Sequence, residues 1–233
     1  MSSSSRSPAT GPGTGPGGDR TDDAPSTVFV VDDDVSFLTG LERMLRASGY
    51  AVMCFASAAD FLARRPAGAA GCVVADLQMP GMDGMALQQA LAQSGDPLPT
   101  VFLTGHGDIP TSVMAMRHGA EDFLTKTAPR AQLLDAIQRA LARDARERHA
   151  RSHRRGMQAR FAALTPRERE VLAHVLRGRL NKQIAADLGI DERSVKRHRT
   201  SLMAKLRVAS VAALARFAAE AGIDTHDRPT GDG

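Results

Sequence analysis

Five short apolar runs, each followed by a helical period, leave the first half of this chain few ways to fold. They are Thr27–Val31, Tyr50–Phe55, Cys72–Asp76, Leu98–Thr104 and Asp122–Thr125. The longest are continuously apolar rather than alternating, and a strand apolar on both faces must be covered on both faces, as in a parallel sheet. Between the runs, apolar residues recur at helical spacing: Phe37, Leu38, Leu41, Met44 and Leu45, then Ala58 to Leu62, then Met85, Leu87, Ala90 and Leu91. Val113, Met114 and Met116, and then Leu133, Leu134, Ile137 and Leu141, continue the series, with Gly49 and Gly119 as helix stops. These Met and Leu stripes are expected in the core. Five βα units joined by right-handed crossovers predict an α/β domain with a doubly wound five-stranded parallel sheet.

The favoured architecture is flavodoxin-like, and such sheets bind ligands at the carboxyl ends of their strands. Here those ends carry Asp32-Asp33-Asp34, Asp76, Thr104 and Lys126. A lone Asp after a strand is most often a turn residue or the cap of the next helix. Convergence changes that reading of Asp76. Carboxylates crowded together are tolerated only if they share protons or hold a cation, and a hard ion with oxygen ligands, Mg²⁺, suits them. Lys126 and Thr104 would neutralise phosphoryl oxygens, leaving Asp76 as a nucleophile able to form an aspartyl-phosphate.

The second half differs in charge. Residues 26–141 hold 8 Lys and Arg against 12 Asp and Glu, whereas residues 142–223 hold 19 against 8. Such an excess of positive charge points to a polyanionic partner. Residues 142–160, with seven Arg, read as a basic helical linker, either a solvated helix or a phosphate-contacting arm. Thr165-Pro166-Arg167-Glu168 is a capping box with Pro at the first helical position. Residues 161–223 then give four short helices: Val171, Leu172, Val175 and Leu176 on the first, Ile184, Ala185 and Leu188 on the second, Val195, Leu202 and Leu206 on the third, and Leu214 and Phe217 on the fourth. Asn181 is expected to cap the second, Asp191 or a neighbour to open the third. Two helices joined by a tight Gly-containing turn, the second one basic, make a helix-turn-helix.

Residues 1–25, rich in Ser, Gly and Pro, and residues 224–233 are expected to be disordered tails. Cys54 and Cys72 are too few for a zinc or disulfide framework and read as reduced core thiols. No apolar stretch approaches the ~20 residues of a membrane span, so a cytoplasmic protein without a membrane partner is expected.

Residues 27–141 resemble a response-regulator receiver domain, and residues 161–222 a LuxR-type helix-turn-helix. The matching stretches are Val31-Asp32-Asp33-Asp34, Ala75-Asp76-Leu77-Gln78-Met79-Pro80-Gly81-Met82-Asp83-Gly84, Thr104-Gly105-His106-Gly107-Asp108, Leu164-Thr165-Pro166-Arg167-Glu168-Arg169-Glu170-Val171-Leu172 and Asn181-Lys182-Gln183-Ile184-Ala185. In that order they resemble the FixJ/NarL group of two-component regulators. The resemblance implies that Asp76 accepts a phosphoryl group from a histidine kinase. It implies Mg²⁺ held by Asp33, Asp76 and the backbone carbonyl of Gln78, with Asp32 acting through water. Thr104 and Lys126 would contact the phosphoryl group, and Phe123 would be an aromatic switch. The face formed by the helix near 109–118, the fifth strand and the last helix of the sheet domain would pair two chains into a homodimer. In the basic half, Lys196, Arg197 and Thr200 would read bases, and Lys182, His198 and Arg199 would contact phosphates of double-stranded DNA, with RNA polymerase a further partner. Such a protein regulates transcription and is not an enzyme acting on a separate substrate.

Two positions depart from the pattern. Lys126 is followed by Thr127 where receivers have Pro with a cis bond. A cis bond before a non-proline residue costs about 3–4 kcal/mol, so a trans, reshaped loop is expected. Thr200 stands where some relatives carry a basic residue. Two other readings remain open: a constitutive DNA-binding protein with a non-switching receiver, and a haloacid-dehalogenase-type phosphatase with Asp32 as nucleophile and Asp34 as acid/base.

Overall fold

The computed structural model describes residues 26–105 and 109–223, in two compact units divided between Ala145 and Arg146. The expected tails and His106-Gly107-Asp108 lie outside the described residues.

The first unit alternates β1 (Thr27–Val31), α1 (Val35–Ala47), β2 (Ala51–Phe55), α2 (Ala58–Arg64), β3 (Gly71–Asp76), α3 (Gly84–Gln93), β4 (Thr100–Thr104), α4 (Ile109–Arg117) and β5 (Asp122–Thr125), and enters α5 (Arg130–Ala162). The strands form one parallel sheet in the order β2-β1-β3-β4-β5, the doubly wound topology expected from the sequence. β4 begins after Pro99, which has no N–H to donate and contributes only its carbonyl, which accepts the Val73 N–H at 2.9 Å.

Alternate residues of the strands feed two half-cores. Val28, Val30, Cys72, Val74, Val101 and Leu103 pack with Leu41 and Leu45 of α1 and Ile137 of α5. Phe29, Val31, Val73, Ala75 and Phe102 pack with Phe61 of α2 and Leu87 and Leu91 of α3. The stripe on α4 does not follow the expectation: Val113, Met114 and Met116 are 45%, 54% and 47% exposed, and the helix buries Ala115 instead. Helical spacing marks a face as apolar but does not say that the chain itself covers it.

At the opposite edge of the sheet from Asp76, Gly71 opens β3 at φ +148°, and a Cβ there would lie 1.8 Å from the Thr27 carbonyl oxygen. Its N–H donates to the buried Asp144 carboxylate of α5 at 2.9 Å. Gly71→Ala is therefore expected to destabilise this unit by about 2–3 kcal/mol. Urea unfolding followed by fluorescence of Tyr50, the only Tyr in a chain without Trp, measures that unit alone; an unchanged midpoint would refute the close approach.

Residues 142–160 are helical, as expected, and are continuous with the last helix of the sheet unit in α5, a single 33-residue helix. Its sequence has no Gly or Pro from Arg130 to Arg155 and is rich in Ala, Arg and Gln, all good helix formers.

In the second unit, α6 (Pro166–Leu176), α7 (Asn181–Leu188), α8 (Glu192–Leu206) and α9 (Val211–Glu220) enclose Val171, Leu172, Ile184, Val195, Leu202, Leu206 and Leu214, with Met157 of α5. Thr165 and Glu168 form the expected capping box, and Asp191 caps α8 through the Ser194 N–H. α7 corrects the expectation: Leu180 occupies the cap position, its N–H donates to Gln183 at 2.9 Å, and Asn181 is the first helical residue with its side chain turned to another purpose. Among the described residues no helix is long and apolar enough to cross a membrane.

Candidate functional site

Strand register builds the site. Val31 pairs with Ala75, Asp76 with Leu103 and Thr104 with Thr125, so Asp32, Asp76, Thr104 and Lys126 end neighbouring strands at one level. Asp32, Asp76 and Thr104 are buried and Asp33 is exposed. Ligand oxygens of Asp32, Asp33 and Asp76 all lie within 4.8 Å of one another. The Lys126 ammonium spans two of them, 2.6 Å from Asp32 Oδ2 and 2.9 Å from Asp76 Oδ2.

The remaining carboxylate oxygens are held by backbone. Asp32 Oδ1 accepts the Asp34 N–H at 2.9 Å, and Asp76 Oδ1 accepts the Gln78 N–H at 3.3 Å. Gly84 lets α3 start close beneath this loop: a Cβ there would lie 2.5 Å from the Asp76 carbonyl oxygen and 2.9 Å from the Phe102 ring. Asp33 and Gln78 line an open depression of about 600 Å³ with Leu77, Met79, Pro80, Asp83 and Met85.

Burial pushes the Asp32 carboxyl pKa up, and Lys126 only partly offsets this. Burial alone would lower the Lys126 ammonium, but hydrogen bonds and charge from Asp32 and Asp76 together hold it above the ordinary lysine value. Its stabilising share is thus complete below about pH 10.5 and is lost as pH rises through the higher folded value. The Lys126 N–H donates to the Thr104 carbonyl at 2.8 Å, and the described residues contain no cis peptide bond, so the bond to Thr127 is trans. The Thr125 and Thr127 hydroxyls lie 3.1 Å apart. Phe123 is half-buried, its ring 6.4 Å from that of Phe102. Asp34 and Asp83 serve as helix caps, accepting N–H groups of Ser36 and Phe37 and of Ala86 respectively. The Asp34 carboxylate is thereby committed to α1, which leaves the phosphatase reading without its acid/base.

On the basic unit, Lys182 of α7 and Lys196, Arg197 and Thr200 of α8 are exposed, while His198 and Arg199 are half-buried. Arg199 donates to the Asn181 side chain at 2.6 Å, joining α8 to the start of α7. Arg167 reaches the Leu188 carbonyl at 2.6 Å. Neither bond is legible in the sequence, because each joins helices that are separate in the chain. Ser201 and Lys205 of α8 converge on Glu168 of α6, at 2.6 and 2.7 Å.

An acidic strand edge with one bridging lysine, on a doubly wound sheet, together with a basic helix-turn-helix, defines a receiver joined to a DNA-binding module. Comparison with known families agrees: residues 28–138 match the response regulator receiver domain, and residues 162–218 match the luxR family of bacterial regulatory proteins. The response regulator protein TodT of Pseudomonas putida is 40% identical over 194 residues, 83% of this chain and 86% of TodT. The transcriptional regulatory protein FixJ of Azorhizobium caulinodans is 39% identical over 203 residues, 87% of this chain and 96% of that one. Among solved structures, the response regulator StyR superposes with a TM-score of 0.79 at 46% identity, covering 84% of this chain and all of that one. The chain belongs to the FixJ/NarL family of two-component response regulators with a LuxR-type helix-turn-helix, and it is a transcriptional response regulator.

Proposed function

We propose that Asp76 is the phosphoryl acceptor, that a histidine kinase is the donor, and that the modified receiver pairs with a second copy to raise affinity for double-stranded DNA. The observation that carries this is the Lys126 ammonium bridging two buried carboxylates, with a third beside them. Two buried acids and an exposed one offer a hard, oxygen-only donor set, which fits Mg²⁺ held by Asp33, Asp76 and the Gln78 carbonyl, with Asp32 acting through water. When bound, the ion would neutralise charge on the phosphoryl oxygens.

An Asp76 carboxylate oxygen forms the new bond to phosphorus as the bond to the donor's nitrogen breaks, its electron pair leaving with the kinase histidine. Lys126 then exchanges one carboxylate partner for a phosphoryl oxygen. The Thr104 hydroxyl contacts another, and Phe123 turns inward as Thr104 shifts. The exposed Val113, Met114 and Met116 on α4 supply an apolar face suited to pairing with a second copy. Lys196, Arg197 and Thr200 read bases, and Lys182 and His198 contact phosphates. Arg199 is better suited to holding the two helices at their angle, through Asn181.

Beryllofluoride with Mg²⁺ is expected to convert the full chain from monomer to dimer in sedimentation and to tighten DNA binding at least about tenfold at fixed salt. Asp76→Asn should show neither response. An unchanged wild type would leave a constitutive DNA-binding protein and end the switching proposal.

A further inference from the structure

The Lys126 ammonium has three N–H donors, and the two carboxylates engage two of them. A third attractive neighbour is present: the Phe37 ring, whose centroid lies 4.5 Å from Nζ. That distance is well within the ~6 Å at which a cation is drawn to an aromatic face. Phe37 is fixed by the acidic loop itself, since its N–H donates to the Asp34 carboxylate at 3.1 Å, immediately after Asp32 and Asp33. One short segment therefore positions Asp32, which binds Lys126, and the ring that faces the ammonium. The β5–α5 loop opposite lacks the proline that would stiffen it after Lys126, and carries Thr127 instead.

We infer that Phe37 is a positioning residue for Lys126, holding the ammonium at the mouth of the site by its ring face while the carboxylate partners change. This rests on the proposed acceptor role of Asp76. A divalent ion held by Asp33 and Asp76 would repel the ammonium that lies on Asp32 and Asp76, and a phosphoryl group on Asp76 would remove one of those two carboxylates as a partner. Through both changes the uncharged ring continues to attract Lys126. Packing alone asks less of this position: Phe37 is half-buried against the cluster of Leu41 and Leu133, and any apolar side chain of similar volume meets that need. Only an aromatic one offers a quadrupole.

The test compares the full-length wild type with Phe37→Leu and Phe37→Tyr. In metal-free protein, the Lys126 Cε protons should be shifted upfield by the ring in the wild type and in Phe37→Tyr, and lose that shift in Phe37→Leu. With Mg²⁺ and acetyl phosphate, labelling should be about 3- to 30-fold slower in Phe37→Leu, the range expected of a partly desolvated cation–π contact. Phe37→Tyr should stay within about twofold of wild type. Equal labelling of wild type and Phe37→Leu, equal loss in Leu and Tyr variants, or absence of the ring shift in the wild type would each overturn the role. Asp76→Asn separates this from failure of the acceptor reading: if it labels as well as wild type, Asp76 is not the acceptor, and the Lys126 shift alone decides whether the ring holds the ammonium.

Discussion

Lys126→Met is expected to label from acetyl phosphate at least about 100-fold more slowly than wild type, and to unfold its receiver about 3 kcal/mol more easily at pH 8. The first effect follows from removing the one cation that, among the described residues, touches Asp76. The second follows from burial. Asp32 is 1% exposed and Asp76 7%, so the variant keeps two desolvated acids side by side without their counter-charge. The methionine preserves the stem that packs beside Phe37.

The pH dependence separates this cause from a simple packing defect. In the wild type, burial already raises the Asp32 pKa, and Lys126 opposes that rise. Without Lys126, desolvation and the Asp76 charge are opposed only by the Asp34 N–H, and the folded value climbs further. A folded carboxyl pKa above the unfolded one means that the folded state binds the extra proton, so stability falls as pH rises through that interval. The deficit of Lys126→Met should therefore be small near pH 4 and grow towards pH 8. Urea titrations read by Tyr50 fluorescence measure it, since Tyr50 lies in this unit and the chain has no Trp. A deficit independent of pH would mean that charge is not its source.

The sheet was legible because its strands are continuously apolar and its site residues close them: periodicity alone put Asp32, Asp76, Thr104 and Lys126 on one edge. What escaped were contacts between residues distant in the chain. Nothing local marks Phe37 as the neighbour of Lys126, or Asp144 as the acceptor for Gly71. Asn181 has the right residue type for a cap, yet a tertiary bond from Arg199 draws its side chain away. On α4 the periodicity was real, but Val113, Met114 and Met116 stay outside the chain's own core. Residues 142–160 are helical as their sequence suggested, and the helix propensity of Ala, Arg and Gln makes them one with α5, which runs on to Ala162.

Glu168 combines a legible half and a hidden one, and Glu168→Ala is expected to cost the helical unit about 3–4 kcal/mol, a large share of what so small a domain possesses. Its local role is the capping box, accepting the Thr165 N–H at 2.8 Å. Its hidden role is to receive Ser201 Oγ at 2.6 Å and Lys205 Nζ at 2.7 Å, which pins α8 to α6 from a carboxylate only 4% exposed. Burial by itself would raise the Glu168 pKa, but Lys205, Ser201 and Thr165 together lower it to about 2. A depressed carboxyl pKa contributes stability that is present above the unfolded value of ~4.5 and disappears as pH falls towards about 2. Glu168→Gln keeps the shape and much of the hydrogen bonding but cannot titrate. It should be less stable than wild type at pH 6, and the gap should close as pH falls from 5 to 2. Far-UV circular dichroism follows the helices of both units, and the part of its transition that Tyr50 fluorescence does not share belongs to the helical unit, because residues 146–223 contain no Tyr. Since α8 carries Lys196, Arg197 and Thr200, DNA affinity should fall with the same pH dependence; a variant that keeps wild-type stability at pH 6 would remove Glu168 from any part in holding α8.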